Sequence, residues 1–266
     1  MDKIDGKEIA EKIYSRIENK PKRGLKLAVI MAGENPSAES FVAQKKKVAL
    51  RTGVDFEILR FPANTTTEEA VEVVKGASIN PAITAIVVQL PLPNQIDREQ
   101  VLATISPEKD ADSLNNGAVL APSVGAVLEI INHLDKDIGF LNFAVVGYGI
   151  LVGKPIYDFL LGRVKSVRLL RRGDNLKEGL AGADVIVTGT GSPGLIKDDM
   201  AREGTIIIDF GYGLTNDGEL KGDFDATGLT KQIYYTPTPG GTGPILVAKL
   251  FENIYDLDSG FPLSRE

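Results

Sequence analysis

Apolar and polar residues follow two periods along this chain, and the change between them separates predicted helices from predicted strands. Isoleucines four residues apart indicate one face of a helix, whereas short unbroken apolar runs indicate buried strands. Helices and strands that alternate predict an α/β fold with parallel strands. In the first half the pattern predicts a helix with Ile9, Ile13 and Ile17 on one face, a strand at residues 25–31, a helix from Asn35, a strand at 54–59, a helix that begins at the capping box Thr66 to Glu69, and a strand at 82–90.

The second half repeats this alternation and contains a glycine-rich turn. A strand at residues 142–146 runs into Gly147, Gly149 and Gly153, and a helix follows. Glycines between a strand and a helix are typical of dinucleotide-binding sites, because they let phosphates approach the backbone at the helix N-terminus. The glycine spacing is one residue longer than the usual fingerprint, so the context carries the argument. The other predicted elements are helices at 123–134 and 154–161, strands at 166–170, 185–189 and 205–211, and a final helix to about residue 256.

The residues after the second strand of this unit discriminate between the two nicotinamide dinucleotides. An acid there binds a free ribose 2′-hydroxyl, whereas arginine suits the 2′-phosphate of NADP. Arg171 and Arg172 follow the strand, and the first acid is Asp174. The sequence therefore favours NADP, with two arginines that only cap a surface strand as the alternative. The predicted cofactor-binding residues are Gly147, Tyr148, Gly149, Val152, Gly153, Arg171, Arg172, Thr190, Gly191 and Tyr212.

Composition excludes several kinds of site and partner. The 266 residues include no cysteine and one histidine, His133, at a predicted helix end. Thiolate nucleophiles, disulfides, serine triads and multi-histidine metal centres are therefore excluded, and no metal site is predicted. A formal net charge of −6 argues against nucleic acid or an anionic membrane as partner. The N-terminus lacks signal-peptide character and no apolar run reaches membrane-spanning length, so we expect a cytoplasmic protein.

Three consecutive lysines on the second helix differ in the direction that they face. Phe41 and Lys45 lie one turn apart on the same face, whereas Lys46 and Lys47 are rotated by about 100° and 200° from Lys45. A lysine run alone predicts only a solvated helix face. Gln89, however, ends a predicted buried strand, and ligands in open α/β sheets bind beyond such carboxyl ends.

Four motifs, in order, resemble the methylenetetrahydrofolate dehydrogenase/cyclohydrolase family of the bifunctional FolD type. The family's Y-V-x-x-K is similar to residues 41–45, and its V-Q-L-P-L-P is residues 88–93. Its P-x-K-D-V-D-G resembles residues 107–113, and its P-G-G-V-G-P resembles residues 239–244. The resemblance covers nearly the whole chain.

The resemblance implies a two-domain α/β protein. A folate domain at residues 1–121 would be completed by a C-terminal helix at 244–266, with a Rossmann-type NADP domain at 122–243, a cleft between the domains and a homodimer through the Rossmann domains. The implied activities are oxidation of 5,10-methylenetetrahydrofolate by NADP and hydrolysis of the methenyl product to 10-formyltetrahydrofolate, two steps of one-carbon metabolism.

The resemblance also assigns roles to residues. Lys45 would be the catalytic lysine, Gln89 would orient it, and Asp112 would hold the pterin ring. A desolvated lysine beside a neutral glutamine can have its pKa lowered toward proton transfer. The other folate-binding residues implied are Phe41, Val42, Leu90, Pro91, Pro239, Gly240 and Gly241.

The chain departs from the family pattern at several positions. Phe41 replaces the motif tyrosine, Ser113 replaces a glycine, and residues 121–125 replace C-T-P-x-G. Tyr148 and Gly149 stand where the family has R-S or A-S, which removes a serine that would help to hold phosphate. The loss of the hydroxyl at Phe41 leaves a dehydrogenase with weak or absent cyclohydrolase activity as an alternative. Another NADP oxidoreductase or a silent nucleotide-binding subunit is more distant, because Lys45, Gln89 and Asp112 are all present.

Overall fold

The computed structural model describes residues 2–21, 24–33, 35–215 and 217–260. None of the helices in these ranges is both long enough and apolar enough to cross a membrane. The helices are α1 (Gly6–Glu18), α2 (Pro36–Thr52), α3 (Thr67–Ile79), α4 (Arg98–Leu102), α5 (Pro122–His133), α6 (Gly153–Leu160), α7 (Leu176–Leu180) and α8 (Thr242–Ser259). The strands are β1 (Asp2–Lys3), β2 (Lys26–Ala32), β3 (Asp55–Phe61), β4 (Ala85–Val88), β5 (Asn142–Val146), β6 (Ser166–Leu170), β7 (Val185–Thr188), β8 (Ile206–Asp209), β9 (Gly213–Leu214), β10 (Leu220–Lys221) and β11 (Tyr234–Tyr235).

Every helix and strand predicted from the pattern is present, and the predicted α/β fold with parallel sheets is confirmed. The capping box is also observed: Thr66 Oγ1 accepts from the Glu69 amide at 3.2 Å, and the Glu69 carboxylate accepts from the Thr66 amide at 2.9 Å. The two-residue strands β1, β9, β10 and β11 and the short helices α4 and α7 were not predicted. Elements this short contain too few residues to show a period.

The chain forms two compact units. The lysine-helix unit comprises Lys12–Pro122 and Val247–Glu266, and the glycine-turn unit comprises Met1–Glu11 and Ser123–Leu246. Strand β1 groups with the glycine-turn unit because it pairs in parallel with β11.

The lysine-helix unit contains a parallel sheet in the order β3-β2-β4. A single bridge between Ile86 and Asp110 adds a segment beside β4, with the Ile86 amide 2.7 Å from the Lys109 carbonyl oxygen. The end of α8 holds this segment, since Asn253 Nδ2 donates to the carbonyl oxygens of Ala111 and Leu120 at 2.9 and 2.8 Å. The predicted return of the C-terminal helix to the first domain is therefore confirmed.

The glycine-turn unit contains a six-stranded sheet in the order β1-β11-β8-β7-β5-β6. All its pairings are parallel, and β5 pairs with β6 on one side and with β7 on the other. The chain therefore adds β6 on one side of β5 and continues with β7 on the other side. In such sheets the ligand crevice lies beyond the carboxyl ends of the strands where the order reverses. The glycine turn that was predicted to bind a dinucleotide begins directly after β5.

Asp110 is fully buried at the edge of the lysine-helix unit's sheet. Its Oδ2 accepts from the Asn115 amide at 2.6 Å, and its Oδ1 has no hydrogen-bond partner among the described atoms. Burial raises the pKa of Asp110 to about 6, against the backbone hydrogen bonds that favour the anion. Folding therefore favours the protonated form of this acid.

We expect Asp110→Asn to flatten part of the pH dependence of stability. The pKa of Asp110 is higher in the folded chain than in the unfolded one, so its stabilising contribution is complete below about pH 4 and is lost as the pH rises through about 6. A shift of this size corresponds to at most about 3 kcal/mol between the two ends of that window. Urea unfolding of wild type and variant between about pH 4 and about pH 7 measures the difference.

Asp55→Asn is the matched control, because Asp55 is an exposed acid at the start of β3. This variant should keep the wild-type slope of unfolding free energy against pH. An Asp110→Asn protein whose slope equals that of wild type would contradict the prediction.

Candidate active site

The Lys45 ammonium and the Gln89 amide meet at the carboxyl edge of the three-stranded sheet. Lys45 Nζ donates to Gln89 Oε1 at 2.8 Å. Gln89 directly follows β4, and its Nε2 donates to the Leu90 carbonyl oxygen at 2.9 Å. Because the amide nitrogen is held by that carbonyl, the amide oxygen faces the lysine. Lys45 is thus oriented by a neutral acceptor.

Asp112 provides the nearby charge that acts on Lys45. It lies two residues after Asp110, in the segment that the bridge between Ile86 and Asp110 places beside β4. Burial lowers the pKa of Lys45, and the charge of Asp112 opposes this shift. Burial likewise raises the pKa of Asp112, and the charge of Lys45 opposes it. Burial therefore favours the neutral form of both groups, and a neutral amine can accept a proton from a substrate or from water.

The face of α2 separates the three lysines as the helical period predicted. Phe41 and Lys45 are partly buried, whereas Lys46 and Lys47 are exposed. Val42, which was predicted to bind folate, is buried in the core of this unit. The start of the helix is held by Asn35, whose Oδ1 accepts from the Ala38 amide at 3.1 Å.

Leu90 and Pro91 open a groove beside Gln89. The groove has a volume of about 470 Å³ and continues along residues 92–94 and 96–99. Pro91 is exposed and Leu90 is partly buried. The groove therefore begins directly after Gln89 in the chain and lies within the same unit.

Pro239, Gly240 and Gly241 lie in the glycine-turn unit, before α8. Gly240 has a φ of 101°, in the left-handed region that favours glycine. The Gly6 amide donates to the Gly240 carbonyl oxygen at 3.1 Å, and a Cβ at Gly6 would collide with the Gly241 carbonyl. The start of α1 thus fixes the backbone of this loop.

The glycine turn after β5 has the features that a dinucleotide phosphate needs. Gly147 has a φ of 89°, and a Cβ at Gly153 would collide with the Gly147 carbonyl, so the turn closes tightly on the start of α6. A Cβ at Gly149 would meet nothing within 4 Å. Val152 gives α6 no side-chain cap. Open space beside an uncapped helix N-terminus fits a bound phosphate.

Arg171 and Arg172 are both exposed at the end of β6. Neither guanidinium forms an ion pair with another described residue, and the Arg171 guanidinium lies 4.8 Å from the centre of the Tyr148 ring. Two cationic donor groups beyond the second strand of the unit fit a 2′-phosphate. Among the residues that the structure describes, no three His, Cys, Asp or Glu side chains come together as possible metal ligands.

Two buried aspartates that the pattern did not single out hold the neighbouring loops. Asp223 Oδ2 accepts from the Thr190 amide at 2.6 Å, and its Oδ1 accepts from the Ser192 amide at 2.7 Å. Asp209 accepts from the amides of Gly211 and Phe224 at 2.6 and 2.8 Å. Asp209 directly follows three isoleucines of a buried strand, and an acid in that position is the sequence signal for such a role.

These aspartates determine where the last predicted cofactor-binding residues lie. Thr190 is tied to Asp223 through both its amide and its hydroxyl. Gly191 has a φ of 68°, and Tyr212 is exposed beyond β8. A Cβ at Gly147 would lie 3.1 Å from Thr190 Cγ2, so the turns after β5 and β7 are adjacent.

Known proteins resemble this chain along nearly its whole length. The model of the tetrahydrofolate dehydrogenase/cyclohydrolase catalytic domain matches residues 4–112, and that of the family's NAD(P)-binding domain matches residues 122–259. The bifunctional protein FolD of Lactobacillus delbrueckii subsp. bulgaricus is 33% identical over 272 residues, which cover 96% of each chain. The Staphylococcus aureus protein of the same name is 34% identical over 269 residues, which cover 94% of each.

Solved structures of two similar proteins match the fold of this chain. The FolD enzyme of Campylobacter jejuni is 27% identical, with a TM-score of 0.91 over 96% of this chain and 97% of that one. The Trypanosoma brucei enzyme, complexed with NADP and an inhibitor, is 28% identical, with a TM-score of 0.88 over 97% of each. The chain belongs to the tetrahydrofolate dehydrogenase/cyclohydrolase family.

Proposed function

We propose that this chain oxidises 5,10-methylenetetrahydrofolate to the 5,10-methenyl form with NADP, and that it hydrolyses the methenyl form to 10-formyltetrahydrofolate. The observation that carries the proposal is the 2.8 Å contact between Lys45 Nζ and Gln89 Oε1, with Asp112 nearby, in a member of this family. Absorbance of NADPH and of the methenyl intermediate, followed separately after mixing the protein with substrate and NADP, tests both activities.

Lys45 is the proposed proton-transfer group in the hydrolysis. Water adds to the cationic one-carbon bridge, and the bond from that carbon to ring nitrogen N5 then breaks. One proton of the water is released, and the other ends on N5. An amine whose pKa is lowered by burial can accept a proton from the water and return one to the nitrogen. Gln89 orients the amine without the charge that would restore its ordinary pKa.

Asp112 and the surrounding apolar groups are proposed to position the folate. A carboxylate can accept two parallel hydrogen bonds from the N–H groups on one edge of a pterin. Phe41 offers a ring face one turn from Lys45, and Leu90 and Pro91 border the adjoining groove. The other proposed folate-binding residues are Val42, Pro239, Gly240 and Gly241.

NADP supplies the nicotinamide that accepts the hydride from the one-carbon bridge. Gly147, Gly149 and Gly153 are proposed to admit its phosphates, and Arg171 and Arg172 its 2′-phosphate. The open space at Gly149 and the uncapped start of α6 support this assignment. The remaining proposed cofactor-binding residues are Tyr148, Val152, Thr190, Gly191 and Tyr212.

Domain boundaries, assembly and location complete the proposal. We place the folate-binding domain at residues 1–121, completed by 244–266, and the NADP-binding domain at 122–243; limited proteolysis tests these boundaries. The protein is proposed to act as a cytoplasmic homodimer without nucleic acid or membrane partners. Light scattering after size-exclusion chromatography separates a monomer from a dimer, and fractionation of cells tests the location.

The alternative of a dehydrogenase without cyclohydrolase activity rests on Phe41 alone. The relatives with 33% and 34% identity are named bifunctional proteins, which does not favour this alternative. Phe41 keeps the ring and lacks only the hydroxyl of the family tyrosine, so the loss concerns the rate of hydrolysis more than its occurrence.

Lys45→Met should remove cyclohydrolase activity while leaving folding and NADP binding intact. Removing a general acid–base group typically costs about 10²–10⁴-fold in rate. Lys46→Met and Lys47→Met are matched controls on the same helix, and both side chains are exposed. Hydrolysis rates of the three variants give the result. Equal losses in all three would mean that the lysine run is only a positive surface.

NADP should bind more tightly than NAD, and the double variant Arg171→Ala/Arg172→Ala should lose this preference. Each charge-assisted contact to a 2′-phosphate contributes about 1.5–3 kcal/mol. Losing both would cost roughly two orders of magnitude or more in preference. Binding titrations with NADP and with NAD measure this preference. Equal or tighter binding of NAD by wild type would refute the assignment.

Phe41→Tyr should accelerate hydrolysis more than hydride transfer. A restored hydroxyl that donates to a charged group contributes about 1.5–3 kcal/mol, or roughly 10–100-fold if the bond forms only in the transition state. Hydride transfer depends mainly on ring placement and should change less. The ratio of the two rates in wild type and variant is the measurement. An unchanged ratio would show that Lys45 and Gln89 suffice without the hydroxyl.

A further inference from the structure

Tyr148 connects the glycine turn to the arginine at the end of β6. The Arg171 guanidinium carbon lies 4.8 Å from the centre of the Tyr148 ring. The Tyr148 hydroxyl donates to Asp158 Oδ1 at 3.1 Å, and Asp158 Oδ2 accepts from Lys154 Nζ at 2.7 Å. The tyrosine is therefore held at its hydroxyl end while its ring contacts the guanidinium.

This contact restricts Arg171 without occupying its hydrogen-bond donors. A cation–π contact uses the charge of the guanidinium and none of its N–H donors, so the N–H groups stay available for a phosphate. The nearby acid, Asp158, already accepts from Tyr148 and Lys154. At the backbone, the Arg171 amide donates to Asp174 Oδ2 at 2.7 Å. Both the main chain and the charged end of Arg171 are thus held in place.

We propose that Tyr148 is a positioning residue that holds the Arg171 guanidinium ready for the 2′-phosphate of NADP. An arginine already held in one arrangement loses less side-chain freedom when it binds, so its contact with the phosphate is stronger. This role explains a tyrosine on a turn where the family pattern has arginine or alanine. The inference rests on the proposed use of NADP and adds a determinant of its selectivity.

Binding of two nucleotides that differ only in the 2′-phosphate tests the inference. Adenosine 2′,5′-bisphosphate carries this phosphate and 5′-AMP does not. Calorimetric titration with both, on wild type, Tyr148→Leu, Arg171→Gln and the double variant, gives affinities without catalysis. Tyr148→Leu should weaken binding of the bisphosphate about three- to tenfold more than it weakens binding of 5′-AMP. In the Arg171→Gln background the same change should have no further effect on the bisphosphate.

Two further variants sharpen the test. Tyr148→Phe keeps the ring and loses the bond to Asp158, so its effect should be smaller than that of Tyr148→Leu. Phe159→Leu is the matched control, because the Arg163 guanidinium lies 5.0 Å from the centre of the Phe159 ring in the same unit. Removing this second cation–π pair should leave both affinities unchanged.

The outcomes separate this inference from the proposed function. If Arg171→Gln weakens the bisphosphate and Tyr148→Leu does not, the role of Tyr148 is refuted and the use of NADP stands. Equal weakening of both nucleotides by Tyr148→Leu would show general damage to the turn and would also refute the role. If wild type binds both nucleotides equally and Arg171→Gln changes neither affinity, the inference and the NADP assignment fail together.

Discussion

Buried carboxylates that accept hydrogen bonds from backbone N–H groups hold loops beside the parallel sheet of each unit. Asp110 does this in the lysine-helix unit, and Asp209 and Asp223 do it in the glycine-turn unit. A buried charge is costly unless hydrogen bonds compensate it, so each loop is constrained to the arrangement that provides those donors. Burial raises the pKa of Asp209 to about 6, with the charge of Asp223 adding to the shift. The loops that carry the proposed ligand-binding residues are therefore fixed by the fold.

The proposed active site uses the opposite electrostatic arrangement for its lysine. Lys45 is oriented by the neutral amide of Gln89. Among the groups that shift the pKa of Lys45, the one charge is that of Asp112. A carboxylate in place of the amide would hold the lysine protonated, whereas a neutral acceptor orients it and leaves its pKa lowered by burial. In the proposed mechanism, Gln89 therefore positions the lysine and Lys45 transfers the proton. This division suits an enzyme whose two steps share one bound folate.

The departures from the family pattern leave this division intact. Phe41 changes a group beside the lysine, and Tyr148 changes a group beside the arginine at the cofactor turn. Both leave Lys45, Asp112, Arg171 and Arg172, the charged residues of the proposed sites, in place. At position 148 the arginine or alanine of the family pattern is replaced by a tyrosine whose ring contacts the Arg171 guanidinium. In the proposed cofactor site, the arginines after β6 would then be the main determinant of the 2′-phosphate contact.

The sequence alone determined the local features, because helical and strand periods, caps and glycine turns are set by residues a few positions apart. It separated Lys45 from Lys46 and Lys47, located the capping box at Thr66 and predicted the strand before Gly147. Tertiary structure decided the contacts between distant segments: the pairing of β1 with β11, the burial of Asp110, the hydrogen bonds from Thr190 to Asp223, and the contact of the Arg171 guanidinium with the Tyr148 ring. These depend on sheet order and loop closure, and residues that meet only after folding leave no periodic signal in the chain.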